Sequence, residues 1–156
     1  MAKYKQRISD RILKRKVLGK GAVLIEGPKW CGKTTTAKQL AKSVLDLGDS
    51  SVLKQSAQLI ELSPKTLLEG KTPRLIDEWQ ALPLIWDSIR SEVDKRGEPS
   101  QFILTGSSVL PEADETIHSG TGRFAYIKMR PMSLYESGES NGTVSLTDLF
   151  EGKPFD

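Results

Sequence analysis

The sequence predicts an α/β fold in which a parallel β-sheet lies between layers of helices. Two observations lead to this prediction. Short apolar runs at residues 22–26, 73–78 and 102–105 have the length and continuity of strands that are buried on both faces. Segments with helical periodicity, at residues 33–47 and 80–96, separate these runs. Because strands alternate with helices, we expect the strands to pair in parallel.

The first half of the chain contains the elements that follow the strand at 22–26. The helix at 33–47 ends before Gly48, a residue type that is common just after a helix. Its apolar side chains recur at helical spacing: Ala37, Leu40, Ala41, Val44 and Leu45. A weak strand signal follows at 51–54, and a capped helical turn begins with Pro64 at its first position.

The second half of the chain continues the alternation. The strand at 73–78 precedes the helix at 80–96, which has a proline in its first turn or at a kink. The strand at 102–105 comes next, and weak alternation at residues 123–129 predicts a fifth strand. Residues 133–136 fit a capping box and predict a short helix.

The composition fits one compact domain. The chain has 156 residues, of which 37% are hydrophobic and 28% are charged, as in ordinary globular proteins. Its single cysteine, Cys31, excludes an internal disulfide bond. No apolar run approaches the roughly 18 residues needed to cross a membrane, and the basic N-terminus leads into no apolar stretch. We therefore expect a cytoplasmic protein with no membrane partner.

Positive charge is concentrated at the N-terminus. Residues 1–20 contain eight basic side chains and one acidic side chain, a local net charge of +7, whereas the whole chain carries +3. Such a segment can bind nucleic acid or nucleotide phosphates. The alternative is a solvated helix face, since apolar residues recur there at helical spacing: Tyr4, Ile8 and Ile12.

A glycine-rich pattern follows the first strand and precedes the first long helix. It matches G-x-x-x-x-G-K-[ST] and consists of Gly27, Pro28, Lys29, Trp30, Cys31, Gly32, Lys33 and Thr34. Glycines let such a loop wrap around phosphate oxygens, and the N-terminus of the following helix adds positive potential. Lys33 is expected to bind the β- and γ-phosphates and Thr34 to bind Mg²⁺, with Thr35 next to them. The pattern predicts a nucleoside triphosphate with Mg²⁺ as the ligand and leaves the base open.

Two acids end the strand at 73–78. Asp77 is predicted to hold Mg²⁺, and Glu78 to activate the water that attacks the γ-phosphate. Acids also commonly begin the loop after a strand, so the pair gains its meaning from the glycine-rich loop 44 residues earlier. Because the carboxyl ends of parallel strands meet at one edge of the sheet, both motifs are expected to converge there.

A third polar set follows the strand at 102–105. Thr105, with Ser107 and Ser108 behind it, can sense the γ-phosphate or the attacking water through a neutral hydrogen bond. The alternative is ordinary turn chemistry, for which this sequence is equally well suited.

These blocks together resemble the AAA+-like branch of P-loop ATPases. Residues 27–36, 75–79, 103–108, 122–123 and 130–136 look like an archaeal and bacterial family of predicted AAA-type ATPases. The resemblance implies a three-layer P-loop NTPase with a five-stranded parallel sheet ordered 5-1-4-3-2. It also implies that Thr105 lies near the sensor position, and that Arg123 reaches a γ-phosphate in its own or a neighbouring subunit. The alternative for Arg123 is a surface arginine at a strand start.

The resemblance also predicts a domain organisation and a function. Residues 1–156 correspond to an ATPase core, with 1–20 as its basic segment, and the further C-terminal domain of the family is expected to be absent from this chain. We expect an ATP-binding and ATP-hydrolysing switch or motor domain that acts on a partner domain or within a homo-oligomer. The alternatives are a nucleic-acid-binding module that uses nucleotide structurally and a P-loop small-molecule kinase. The kinase lacks support, because no arginine cluster follows the third or fourth strand.

Overall fold

A computed structural model of the chain describes residues 4–107 and 122–153, and within them five parallel strands form one sheet. The sheet order is β2-β3-β4-β1-β5, so the predicted order 5-1-4-3-2 is confirmed, read from the opposite edge. The strands are β1 (Ala22–Glu26), β2 (Ser43–Asp46), β3 (Arg74–Asp77), β4 (Phe102–Gly106) and β5 (Phe124–Lys128).

Helices cover both faces of the sheet. The helices of the described ranges are α1 (Ile8–Gly19), α2 (Lys33–Lys38), α3 (Ser50–Leu62), α4 (Pro64–Leu68), α5 (Ile85–Arg96), α6 (Leu134–Ser137) and α7 (Leu146–Phe150), of which α1 to α5 contribute to the core. A 3-10 helix at Trp79–Ala81 follows β3 after one residue, Glu78. None of the helices in the described ranges is long and apolar enough to span a membrane.

The core consists of two apolar layers, one on each face of the sheet. Val23 and Ile25 of β1 pack with α1 and α2, whose buried residues include Leu13 and Val17. The alternate residues of β1, Ala22 and Leu24, pack on the other face with α3, α4 and α5. Because side chains alternate along a strand, both layers need apolar residues from β1, which explains its continuous apolar run.

The predicted helix at 33–47 is wrong over its second half. Helix α2 ends at Lys38, and residues 43–46 form β2 beside β3. The spacing of Val44 and Leu45 fits a helix, but only Leu45 of β2 is buried, as expected for an edge strand with one covered face. Pairing with β3 therefore overrides the local helical pattern.

The predicted strand at 51–54 is also wrong, because this segment belongs to helix α3. The carboxylate of Asp49 accepts hydrogen bonds from the backbone N–H groups of Ser51 and Val52, which caps the helix. Asp49 is thus the N-terminal signal that the strand prediction overlooked. The short helix with Pro64 at its first position and the capping box of Ser133 and Glu136 are confirmed.

The apolar face predicted for the N-terminal helix is only partly correct. Helix α1 buries Leu13 and Val17, whereas Ile8 is 53% exposed and Ile12 is partly buried. The predicted helix at 80–96 begins at Ile85, because the chain first forms the 3-10 turn after Glu78.

Parallel register aligns the carboxyl ends of the central strands. Asp77 of β3 pairs with Thr105 of β4, and Glu26 of β1 pairs with Gly106 of β4. Residues that follow β1, β3 and β4 therefore meet at one edge of the sheet, as predicted.

Candidate functional site

The loop between β1 and α2 closes tightly at its two glycines. Gly27 has a φ of 154°, and a Cβ there would lie 2.3 Å from the carbonyl oxygen of Met129. Gly32, at the N-cap of α2, has a φ of 98°. Both values favour glycine, and at Gly27 the neighbouring backbone leaves no room for a side chain. The loop shape thus depends on the two residues that define its sequence pattern.

The ammonium group of Lys33 lies inside this loop. It donates hydrogen bonds to the carbonyl oxygens of Gly27 and Pro28, both at 2.9 Å, and the residue is only 5% exposed. A cation that is held on carbonyl groups can exchange these contacts for stronger ones to phosphate oxygens. The positive charge of Lys33 therefore lies inside the loop, where the sequence predicts that phosphates bind.

A hydrogen-bonded chain crosses three elements at the sheet edge. The hydroxyl of Thr34, on α2, donates to Oδ1 of Asp77 at 2.8 Å. The hydroxyl of Thr105, on β4, donates to the same oxygen. Asp77 is 6% exposed and Thr105 is fully buried, so the carboxylate is fixed from two sides. This contact joins the glycine-rich loop to the acid at the end of β3.

The oxygen donors of this chain suit Mg²⁺. Magnesium prefers hard oxygen ligands and retains several waters, so a protein commonly supplies one or two of its ligands. The Thr34 hydroxyl and the Asp77 carboxylate are such donors, and their 2.8 Å contact brings them to one point. The residues present therefore fit the predicted ion.

Glu78 has an unusual backbone conformation next to this chain. Its φ of 53° and ψ of 45° are left-handed, which few residues other than glycine adopt. Its carboxylate accepts a hydrogen bond from the side-chain amide of Gln80. Non-glycine residues in this conformation concentrate at functional sites.

A cavity of about 600 Å³ lies over the loop, and its lining residues come from the loop, α2 and Glu78. They are Lys29, Trp30, Gly32, Lys33, Thr34, Thr35 and Glu78. Cys31, within the loop, is buried, and its thiol sulfur lies 3.9 Å from the carbonyl oxygen of Met129. Asp77 and Thr105 are not among the lining residues, but Asp77 accepts hydrogen bonds from Thr105 and from Thr34, which lines the cavity.

Arg123 lies away from this cavity, so the expectation that it reaches the γ-phosphate of its own subunit is wrong. It directly precedes β5, whose Phe124 pairs with Ala22, at the opposite end of β1 from Gly27. Its guanidinium forms an ion pair with Asp94 at 2.5 Å. In a parallel sheet, a residue that precedes a strand lies at the amino ends of the strands. The glycine-rich loop lies at their carboxyl ends. Action on a neighbouring subunit remains a prediction.

A buried ion pair between Arg7 and Glu136, which the sequence did not predict, contacts the loop. Arg7, 7% exposed, donates from Nε to Glu136 at 3.0 Å and from Nη1 to the carbonyl oxygen of Cys31 at 2.7 Å. Nη2 donates to the carbonyl oxygen of Arg130 at 2.9 Å. One guanidinium thus joins the N-terminal segment, the loop and the chain after β5.

Glu136 is the acceptor at the centre of this support. Burial alone would raise its pKa, but the backbone N–H groups of Ser133 and Ile8, the Arg7 guanidinium and the Ser133 hydroxyl lower the pKa to about 2. The sequence signals only the capping box, and no local pattern points to Arg7 as the partner.

Several basic side chains of the N-terminal segment bind to other parts of the chain. Arg7 is buried, Lys5 donates to the carbonyl oxygen of Ser137 at 2.6 Å, and Lys20 donates to that of Gly122 at 2.9 Å. Arg11, Lys14 and Arg15 are exposed on α1. These contacts give several of the cations a structural role, which weakens the nucleic-acid interpretation. Ser108, from the third polar set, lies outside the described residues.

Comparison with known proteins adds a family assignment to this geometry. A family model described as an AAA domain matches residues 19–138. Uncharacterized proteins of Mycobacterium bovis and Mycobacterium tuberculosis are each 27% identical to the chain over 120 residues, 76% of its length. The chain spans only 27% of the length of these curated relatives. Among solved structures, C. elegans PCH-2 matches 86% of this chain and 44% of that chain, with 17% identity and a TM-score of 0.42.

Proposed function

Since this chain belongs to the AAA domain family and is a nucleotide-binding ATPase-type module, we propose that it binds ATP with Mg²⁺ and hydrolyses it. One observation carries the proposal. The 2.8 Å hydrogen bond from Thr34 to Asp77 joins the phosphate loop to the acid of β3, beside a cavity that Lys33 and Glu78 also line. A loop for phosphates, oxygen ligands for a cation and a carboxylate for water meet there.

The phosphate loop binds the triphosphate in this proposal. Residues 27–35 surround the β- and γ-phosphates, and Lys33 exchanges its bonds to Gly27 and Pro28 for bonds to phosphate oxygens. The ammonium group is charged in both sets of bonds, but phosphate oxygens carry negative charge and carbonyl oxygens do not, so Coulomb attraction favours the exchange. Lys33 then stabilises negative charge as the γ-phosphoryl group leaves.

Thr34 and Asp77 would hold Mg²⁺. When bound, this ion neutralises charge on the β- and γ-phosphate oxygens. The Thr34 hydroxyl would offer an oxygen lone pair to the ion and can keep donating its proton to Asp77, and Thr105 holds Asp77 in place from β4. In this role Thr105 orients the metal ligand and senses the state of the site.

Glu78 is the general base of the proposed reaction. Its carboxylate lines the cavity and accepts a proton from the water that attacks the γ-phosphate. Water oxygen forms the new bond to phosphorus, and the bond to the β-phosphate oxygen breaks, so that the products are ADP and phosphate. A positioned base of this kind contributes on the order of 10²- to 10⁴-fold to the rate.

The larger role of the chain is also a proposal. We propose that residues 1–156 form the ATPase core of a cytoplasmic switch or motor, acting on a partner domain or within a homo-oligomer. A chain that covers 27% of its curated relatives leaves most of their length for such a partner domain. Arg123 would then act on the site of a neighbouring subunit.

The test is nucleotide binding and phosphate release by the purified chain and two variants. We expect Lys33→Ala to abolish ATP binding and Glu78→Gln to retain binding while turnover falls on the order of 100-fold or more. Lys38→Ala, an exposed change on the same helix, and Glu61→Gln, an exposed change on α3, are the matched controls. A folded, unaltered chain that binds no ATP would exclude the proposal.

A further inference from the structure

The amide of Gln80 connects the two strand ends that border the cavity. Its Nε2 atom donates a hydrogen bond to Oε2 of Glu78 and lies 3.4 Å from the hydroxyl oxygen of Ser107. Glu78 follows β3 and Ser107 follows β4, so this amide bridges neighbouring strands at the site edge. No other side chain in the described part of the chain makes a hydrogen bond to the Glu78 carboxylate.

The surroundings hold Gln80 close to β4. A Cβ at Gly106 would lie 2.6 Å from Oε1 of Gln80 and 2.9 Å from the indole nitrogen of Trp79. Trp79 is 1% exposed, and its ring lies 5.1 Å from that of Trp86 in the core. Trp79 thus anchors the 3-10 turn in the core. The turn packs against the end of β4, where Gly106 has no side chain to block it.

We propose that Gln80 is a positioning residue. It fixes the orientation in which the Glu78 carboxylate acts as a base, and it links this carboxylate to the end of β4. The catalytic half of this inference rests on the proposed function of Glu78. A glutamate side chain has many rotamers, and fixing it in advance removes an entropic cost from the reaction. Gln80 occupies Oε2, which leaves Oε1 to accept the proton from water.

The bridge makes β4 a common support for both acids. Thr105 of β4 donates directly to Asp77, and Ser107 contacts Glu78 through Gln80. A movement of the end of β4 would therefore displace the metal ligand and the base together. Coupled hydrogen bonds of this type hold their members in one geometry better than separate contacts do.

The contact itself can be tested without any turnover. The side-chain amide signals of Gln80 are identified in a ¹H–¹⁵N spectrum as the pair that disappears in Gln80→Met. We expect this pair to shift in Glu78→Ala and, less strongly, in Ser107→Ala, because each variant removes an acceptor of the amide. Glu61→Ala on α3 is the control and should leave the pair unchanged. If the Gln80 amide signals do not shift in Glu78→Ala, the inference is overturned.

Kinetics then separate positioning from packing. Gln80→Met keeps the length of the side chain and removes the donor, and Gln80→Glu places a second carboxylate against Glu78. We expect both to lower kcat about tenfold or more with little change in KM for ATP. Gln58→Met, an exposed change on α3, is the matched control.

The outcomes distinguish this inference from the proposed function. If Gln80→Met and Gln80→Glu keep the kcat of the unaltered chain, the positioning role is excluded while ATP hydrolysis stands. If Glu78→Gln hydrolyses ATP as fast as the unaltered chain, the proposed role of Glu78 is excluded and the catalytic half of the inference falls with it. The amide spectra decide the contact in either case.

Discussion

The guanidinium of Arg7 and the carboxylate of Glu136 are 129 residues apart in the sequence and 3.0 Å apart in the structure. Their side chains are 6% and 8% exposed. Because Arg7 also donates to the carbonyl oxygen of Cys31, this ion pair is connected to the backbone of the glycine-rich loop. The two ends of the domain are therefore joined directly behind the site.

We expect Arg7→Met to destabilise the domain by about 3 kcal/mol, because it leaves the Glu136 carboxylate buried without its cation. Chemical denaturation measures this change. Arg15→Met, an exposed change on the neighbouring helix, serves as the control and should cost about 0.5 kcal/mol or less. A similar loss in both variants would show that the ion pair contributes little.

The depressed pKa of Glu136 makes stability depend on pH. Its pKa falls from an ordinary 4.5 to about 2 on folding, so the unfolded chain binds more protons between these values. This contribution is fully present above about pH 4.5 and is lost as the pH falls towards 2. We expect Glu136→Gln to reduce the acid dependence of the unfolding free energy by on the order of 1 to 3 kcal/mol. Parallel curves for both proteins from pH 6 to pH 3 would contradict this expectation.

Gly27→Ala tests the shape of the phosphate loop. The new methyl group would lie 2.3 Å from the carbonyl oxygen of Met129, in a backbone conformation that alanine rarely adopts. We expect a loss of ATP binding and a destabilisation of about 1–3 kcal/mol, measured by calorimetry and denaturation. Gly19→Ala at the end of α1 meets no atom within 4 Å and should be neutral or slightly stabilising. Unchanged ATP binding by Gly27→Ala would mean that the loop tolerates another path.

Asp77→Asn tests the proposed cation ligand. The amide removes the negative charge but keeps the shape, so we expect Mg²⁺ to lose most of its enhancement of ATP binding. Titration with and without Mg²⁺ measures this effect. Asp46→Asn is the matched control, because Asp46 pairs with Asp77 in the sheet register but is exposed and bonds to the N–H of Gly48. Equal Mg²⁺ dependence in the two variants would exclude Asp77 as a ligand.

Arg123→Ala tests the remaining prediction for that residue. Because Arg123 lies at the far edge of the sheet, we expect ATP binding by the single chain to be unaffected. If Arg123 acts on a neighbouring subunit, the variant should remove any increase in specific activity that accompanies rising protein concentration. Adding chains that carry Lys33→Ala but retain Arg123 should then restore activity. Failure of this rescue would exclude the role.

The fold and the site differ in how much of them local sequence predicts. The central strands are apolar on both faces, so their runs stand out, and their parallel order brings Asp77 to Thr105. Edge strand β2 needs only Leu45 buried, and so its pattern is easily mistaken for a helix. Asp49 marks the true start of α3 through capping, a signal that apolar periodicity does not contain.

Local sequence patterns do not predict contacts between segments that are far apart in the chain. The loop motif predicts Lys33 and Thr34, and the strand end predicts Asp77 and Glu78. Nothing around Arg7 indicates a buried partner 129 residues away. The bond from Gln80 to Glu78 spans only two residues, yet its meaning depends on Ser107 and the close approach of β4.

The exposure of Trp30 gives the protein an optical property of its own. The chain has three tryptophans; Trp79 and Trp86 are each 1% exposed, whereas Trp30, in the glycine-rich loop, is 99% exposed. A water-soluble quencher such as acrylamide therefore reaches one indole and spares the other two. The quenchable part of the fluorescence reports from the mouth of the cavity, and the protected part reports from the core. A single unlabelled sample can thus separate events at the loop from unfolding of the domain.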